Sequence, residues 1–137
     1  RPSVLDDMGL VSAIEAQLVD ILDRANISPH FTTNCRNISL PDSLSSNIYR
    51  IFQEAMSNIL KHADAANIWV TIKRVGGQLV LFIRDDGKGI SESDYDKPSS
   101  YGLLGIKERV TAMKGEITIE SSESTGTRIR VTLPLID

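Results

Sequence analysis

Between His62 and Ile83 the hydrophobic period of the chain changes from that of a helix to that of a strand. This switch constrains the fold more than any other feature. Ile68, Val70 and Ile72 alternate with Trp69, Thr71 and Lys73, and Leu79 to Ile83 is almost continuously apolar. Gly76-Gly77 between the two runs is a two-residue hairpin signal. A run as apolar as the second suits a strand covered on at least one face and central in its sheet. Trp69 and Phe82 are read as sheet packing.

Helical patterns flank this hairpin. From Gly9 to Ala25, Leu10, Ile14, Leu18, Ile21 and Leu22 recur at spacings of three and four, which makes a core-facing stripe. Asp6-Asp7 just before it suits the positive end of a helix dipole. A second helix is expected from Pro41-Asp42-Ser43 to about His62, burying Leu44, Ile48, Ile51, Phe52, Ala55 and Ile59. A third runs from Gly102 to Lys114 with Gly115 as its C-terminal stop. Phe31 to Ile38 reads as a short edge strand. Ile117 and Ile119, with Ile129, Val131 and Leu133, form a last hairpin around Ser124-Thr125-Gly126. Ser91 to Tyr101 has no period and is long enough for a functional lid. The sum is an α+β fold, a two-layer α/β sandwich with about three helices on one face of a mixed, mainly antiparallel five-stranded sheet. The continuous β-α-β alternation of a doubly wound sheet is missing.

A chain of 137 residues, 41% hydrophobic and 24% charged, suits one packed domain. Its formal charge of -3 supplies no general field for nucleic acid, so no nucleic-acid partner is expected. Cys35 is the single cysteine, which excludes an internal disulfide and a cysteine-cluster metal site, and nothing in its sequence surroundings would activate it. No apolar run approaches the roughly 18 residues of a membrane-spanning helix. The opening Arg1-Pro2-Ser3 lacks Met and the character of a signal peptide, which suggests a piece of a longer protein.

Four constellations could carry chemistry. Glu54, Asn58 and Lys61 stand at i, i+4 and i+7 on the second helix, beside its apolar stripe and followed by His62. A carboxylate, a carboxamide and a cation there could handle a metal and phosphates, since the Asn carbonyl is an oxygen ligand that Mg²⁺ accepts. Glu54 could orient or deprotonate a nucleophile. The same residues also fit a merely solvated helix face. Asp85-Asp86-Gly87-Lys88-Gly89-Ile90 delivers a carboxylate from an apolar strand into a glycine turn. A buried carboxylate there could accept a hydrogen bond from the exocyclic amine of a flat heterocycle, although an ordinary Asp-Gly turn has the same residues. It is neither a Walker A loop nor a Rossmann fingerprint, and it has Gly where a calcium loop needs oxygen ligands. Tyr101-Gly102-Leu103-Leu104-Gly105-Ile106 places glycines at a helix start, where unpaired N–H groups attract phosphate or simply cap the helix. Gly126-Thr127 enters the last strand and taken alone is a hairpin turn.

In this order and spacing the four blocks resemble the N, G1, G2 and G3 boxes of the GHKL ATP-binding (HATPase) superfamily. Within it they resemble the catalytic domain of bacterial sensor histidine kinases. Gln53-Glu54-Ala55-x-x-Asn58-x-x-Lys61-His62-Ala63 and the opening Arg1 to Leu10 are similar to the nitrate-sensor-like subfamily. The resemblance covers essentially the whole chain and implies the Bergerat (GHKL) fold. It makes residues 1–8 the end of a linker from a dimerisation and phosphoacceptor domain, residues 9–137 the ATP-binding domain, and residues 91–101 the ATP lid.

The resemblance also implies roles. Asn58 would coordinate Mg²⁺ bridging the phosphates of ATP, with Lys61 and His62 on the phosphate side. Asp85 would take the adenine amino group, with Thr127 or a water nearby and Gly87, Gly89 and Ile90 forming the turn at the adenine pocket. Gly102, Leu103 and Gly105 would bring backbone N–H groups to the phosphates. Glu54 matches the water-activating base of hydrolytic members, and in a kinase would hold the metal or orient the nucleophile. The implied reaction moves the γ-phosphoryl group of ATP to a histidine on a separate helical domain of the same protein, which passes it to a response regulator. Neither His30 nor His62 suits that acceptor, which is expected upstream of Arg1. The isolated domain is expected to be a monomer. The parent protein is expected to be a homodimer anchored in the bacterial inner membrane with this domain in the cytoplasm. Two rivals are an ATP-driven clamp in which Glu54 drives hydrolysis, and a serine kinase of the anti-sigma-factor type. The opening segment argues against the second.

Overall fold

The computed structural model describes residues 3–62, 64–88, 103–122 and 124–135. Among these residues four helices and five strands follow in the order α1 (Ser3–Met8), α2 (Leu10–Ala25), β1 (Ser28–Thr33), α3 (Asp42–His62), β2 (Asn67–Val75), β3 (Gln78–Asp85), α4 (Leu103–Ala112), β4 (Glu116–Ser122) and β5 (Gly126–Pro134). The sheet order is β1-β2-β3-β5-β4. β1 lies parallel to β2, with Phe31 opposite Val70, because α3 carries the chain back across the sheet between them. Every other pairing is antiparallel. The expected α+β sandwich is therefore present, with three long helices and one short one.

The sheet is amphipathic by alternation. Ile68, Val70, Ile72, Leu79, Leu81, Ile83, Ile129, Val131 and Leu133 are buried on its inner face. Against them lie Ile14, Leu18 and Leu22 of α2, Ile48, Ile51, Phe52, Ala55 and Ile59 of α3, and Ile106 and Val110 of α4. The outer face carries its aromatic rings under cations. The Arg84 guanidinium sits 3.9 Å over the Trp69 ring, which also stacks on His30 at 4.9 Å, and Arg130 sits 5.3 Å over Phe82. These contacts shield the aromatic faces while the charges stay in water.

Three local expectations need correction. Asp6 and Asp7 lie within the separate helix α1, because Gly9 takes φ +77° and breaks the path, its carbonyl then starting α2. α1 is no mere tail, since Leu5 is buried in the core. The edge strand occupies Ser28–Thr33 rather than Phe31 to Ile38. The Asn34 side chain exchanges two hydrogen bonds with the Arg74 backbone, and the Cys35 N–H turns back to the Thr33 hydroxyl, so the ladder ends there. Finally, α4 ends at Ala112, and the left-handed residue beyond it is Lys114 at φ +60°, not Gly115. The expected lid at 91–101 lies outside the described residues.

Gly115 is required by space. A Cβ there would sit 2.5 Å from Leu133 Cδ2 and 2.6 Å from the Thr132 carbonyl oxygen. Gly115→Ala should therefore destabilise the fold by about 1–3 kcal/mol, as overpacking does. The check is a urea melt whose midpoint falls while its slope is unchanged.

Candidate functional site

The second half of α3 sets out three polar side chains at graded depth. Relative to Glu54, Asn58 turns about 40° toward the apolar stripe and Lys61 about 20° away from it. Burial follows that order: Asn58 is 5% exposed, Glu54 is half-buried and Lys61 is exposed. His62 ends the helix, its side chain outside the described residues. α4 begins beside them. A Cβ at Gly105 would lie 3.8 Å from Glu54 Oε2, an ordinary contact distance, so this first turn lies against the carboxylate. Leu103 points its side chain into the core, so only its backbone is available to a ligand.

The sheet supplies a second cluster at the same end of the molecule. Asp85 ends β3 fully buried. Its Oδ1 accepts the Gly87 N–H at 2.7 Å, and its Oδ2 accepts the Thr127 N–H at 3.3 Å from the start of β5. The Thr127 hydroxyl is itself tied to Ser121 Oγ at 3.2 Å. Burial pushes the Asp85 carboxyl above its ordinary 3.8, the hydrogen bonds from Gly87 and Thr127 oppose that, and the charge of Asp86 adds to it.

Asp86 has a different task. Its Oδ1 accepts the N–H groups of Ala66 and Asn67, and its Oδ2 accepts Asn67 Nδ2, each at 2.9 Å. It thereby ties the chain leaving α3 to the end of β3. Those bonds, first of all from Asn67, hold its carboxyl below the usual range.

Two contributions escaped the sequence reading. Gly126 appeared there in a hairpin turn and in the block that resembles the G3 box, without a role of its own. In the structure its φ is +78°, and a Cβ would collide with the Asp85 carbonyl oxygen and lie 2.7 Å from Asp85 Oδ1. Arg109 on α4 was not singled out, yet its Nη2 lies 3.2 Å from Glu54 Oε1. Its spacing of four from Gly105 puts both on one face of α4, and that was the available signal. Gly89, Ile90 and Gly102 lie outside the described residues. The described residues thus fall into two groups, Glu54 with Gly105 and Arg109, and Asp85 with Gly87, Gly126 and Thr127.

Three polar atoms on α3 and α4 lack partners among the described residues. Glu54 Oε2, Asn58 Nδ2 and Arg109 Nε are buried without a hydrogen bond among the described residues. Buried polar groups are nearly always paired, so such a cluster suits a polar ligand. No group of His, Cys, Asp and Glu among the described residues could cage a metal. One carboxamide oxygen beside a phosphate-bearing ligand is nonetheless the sparse protein contribution typical of Mg²⁺. A cavity of about 470 Å³ walled by Ile38, Leu40, Leu44, Met113 and Leu135 lies at the other end of the sheet and touches none of these groups, although its wall includes Asn47 of α3, which Arg109 contacts.

Residues 44–137 match the family model described as histidine kinase-, DNA gyrase B-, and HSP90-like ATPase. The chain is 30% identical over 135 residues to the signal transduction histidine-protein kinase/phosphatase DegS of Brevibacillus brevis, covering 98% of this chain and 35% of that protein. It is 35% identical over 136 residues to the sensor histidine kinase ComP of Bacillus subtilis strain 168, covering 98% of this chain and 18% of ComP. The chain thus spans about a third or less of these relatives. In fold it is similar to the histidine kinase domain of the Erythrobacter litoralis EL346 blue-light activated histidine kinase, with TM-score 0.75, 24% identity, and coverage of 92% of this chain and 61% of that one.

Two outcomes follow from the geometry. Gly126→Ala should cost about 1–3 kcal/mol for the left-handed backbone alone, more with the collision, and should show as a lowered melting midpoint. Asp86→Ala should cost about 1 kcal/mol near neutral pH, at the low end because the side chain is exposed. Since the folded-state value of Asp86 is lowered, its contribution is present above the ordinary 3.8 and disappears as pH falls through that folded value. Denaturation at successive pH values should show the gap from wild type closing on the acid side.

Proposed function

Because this chain belongs to the histidine kinase-, DNA gyrase B-, and HSP90-like ATPase family, we propose that it is the ATP-binding catalytic unit of a sensor histidine kinase. In this reading it transfers the γ-phosphoryl group of Mg·ATP to a histidine on a separate helical domain of the same protein, and a response regulator receives it next. The observation that carries the reading is the fully buried Asp85 carboxylate at the end of an apolar strand. A carboxylate enclosed there, held by two backbone donors and pushed up by burial, has the character of a functional group.

Asp85 accepts a hydrogen bond from the adenine amino group, and its orientation is held by the N–H groups of Gly87 and Thr127. Gly126 leaves room for that orientation. Asn58 would offer its amide oxygen to Mg²⁺ and its amide nitrogen, which has no partner among the described residues, to a phosphate oxygen. Lys61, exposed on the next turn, and His62 stand on the phosphate side. Gly105 lets the first turn of α4 close on the phosphates, and Gly87, with Gly89, Ile90, Gly102 and Leu103, completes the nucleotide contacts in this reading. Bound Mg²⁺ supplies charge neutralisation at the transferring phosphoryl group. Glu54 orients the nucleophile. His30 is engaged by Trp69 and by Asn67, whose Oδ1 lies 2.9 Å from its Nε2, which supports an acceptor elsewhere in the protein.

Among the described residues no helix is long and apolar enough to cross a membrane. We assign membrane anchoring to other parts of the parent protein, which works as a homodimer through its helical domain, with this domain facing the cytoplasm.

Calorimetry with a nonhydrolysable ATP analogue and Mg²⁺ tests the reading. The protein should bind it, and Asp85→Asn and Asn58→Ala should each weaken binding by about tenfold or more, about 1.4 kcal/mol. The raised carboxyl of Asp85 sets a pH signature: affinity should begin to fall at a pH above the ordinary 3.8, since the group protonates earlier in the folded protein. Absence of binding to wild type at millimolar analogue would refute the assignment.

A further inference from the structure

The guanidinium of Arg109 spans α4 and two points on α3. Its Nη2 donates to Glu54 Oε1 at 3.2 Å and its Nη1 to Asn47 Oδ1 at 3.3 Å. Asn47 and Glu54 are seven residues apart, so they share one face of α3 two turns from each other. A planar fork gripping both is held in orientation as well as in place. The pair is only partly exposed, at 31% for Arg109 and 35% for Glu54. Glu54 therefore has two unlike oxygens. Oε1 is committed to Arg109, while Oε2 is buried at the first turn of α4, 3.8 Å from where a Gly105 Cβ would stand, with no partner among the described residues. One turn further along α3 is the amide nitrogen of Asn58, buried without a partner among the described residues.

From this geometry we infer that Arg109 is a positioning residue for phosphoryl transfer, holding Glu54 by one oxygen so that the other is fixed to orient the nucleophile beside the phosphates. The inference rests on the nucleophile-orienting role given to Glu54 above. Two physical needs are met together. A glutamate has three rotatable side-chain bonds, and a nucleophile-orienting group must be held closely to be effective. A carboxylate also has to remain beside polyanionic phosphates, and a fixed cation on its far side offsets the repulsion. A tie made only for stability would gain little, since ion pairs of this exposure contribute little to folding, whereas Glu54 Oε2 and Arg109 Nε are both buried without a partner among the described residues. Lysine cannot replace the arginine in full, because an ammonium group lacks the planar fork that reaches Asn47 and Glu54 together.

The test uses the full-length protein with Mg·ATP and compares wild type, Arg109→Ala, Arg109→Lys, Glu54→Gln and the double variant Glu54→Gln/Arg109→Ala. Three quantities are measured: analogue affinity by calorimetry, the rate of self-phosphorylation at saturating ATP, and the melting midpoint. Arg109→Ala should lower the saturated rate about tenfold or more while affinity changes less than about threefold, and Arg109→Lys should recover part of the rate. On the Glu54→Gln background, removing Arg109 should cost no further rate, because the group it positions is already gone. An unchanged rate in Arg109→Ala overturns the inference. So does an equal loss with and without Glu54, or a loss that merely tracks the folded fraction, for which the gentler Arg109→Lys variant is the control. A wild-type rate in Glu54→Gln removes Glu54 from the reaction, and the inference falls with it while nucleotide binding stands. Failure of wild type to bind the analogue refutes the functional reading itself.

Discussion

One buried carboxylate organises this end of the molecule. Asp85 stands where an apolar strand runs out, fully shielded from water, and an ionised group in that position needs hydrogen bonds from fixed donors. Three separate features supply or permit them. The turn after β3 presents the Gly87 N–H, β5 begins at Thr127 so that its N–H faces the second oxygen, and Gly126 has no side chain to push the carboxylate aside. Asp86, its neighbour in sequence, binds the chain that leaves α3 and so fixes the distance between the helix and the strand end. Adjacent aspartates have opposite duties and opposite pKa displacements because one is enclosed and the other is exposed among donors.

The same logic of edges governs the helices. Asn58 and Arg109 each sit on the border of an apolar stripe, Asn58 next to Ile59 on α3 and Arg109 next to Val110 on α4. Packing the two helices on the sheet turns both borders toward one seam. Polar groups that would be solvated on an isolated helix are there enclosed, and some of their atoms have no partner among the described residues. The open face of the sheet is finished differently, with arginines laid over Trp69 and Phe82, so its aromatic residues serve the surface of the fold rather than a ligand pocket.

Much of the architecture was legible because its signals are local. The period of α2 and α3, the Gly76-Gly77 turn and the alternation of β2 and β5 each depend on residues a few positions apart, and each element formed where its pattern lay. The position of Asn58 at the inner edge of its stripe could be read from helix angles alone. Errors fell where a distant contact decided the outcome. β1 ends at Thr33 because Asn34 finds the backbone of Arg74, forty residues away. Gly115 looked like a helix stop, but Lys114 takes the left-handed turn while Gly115 admits Leu133 and Thr132. No periodicity in the α4 segment marks Arg109 as the partner of Glu54, since a charge at a stripe edge is equally suited to water.

From sequence alone came the two-layer sandwich, the residue types at the end that holds Asn58 and Asp85, and the order of the four motif blocks. Each of these is carried by spacing along the chain, which the 3.6-residue and 2-residue periods convert directly into faces. The tertiary structure alone decided which polar atoms are enclosed, which glycine yields to which neighbour, and that Arg109 holds Glu54. Those outcomes depend on the close approach of segments far apart in sequence, and distances across a packed seam are set by the volumes on both sides of it.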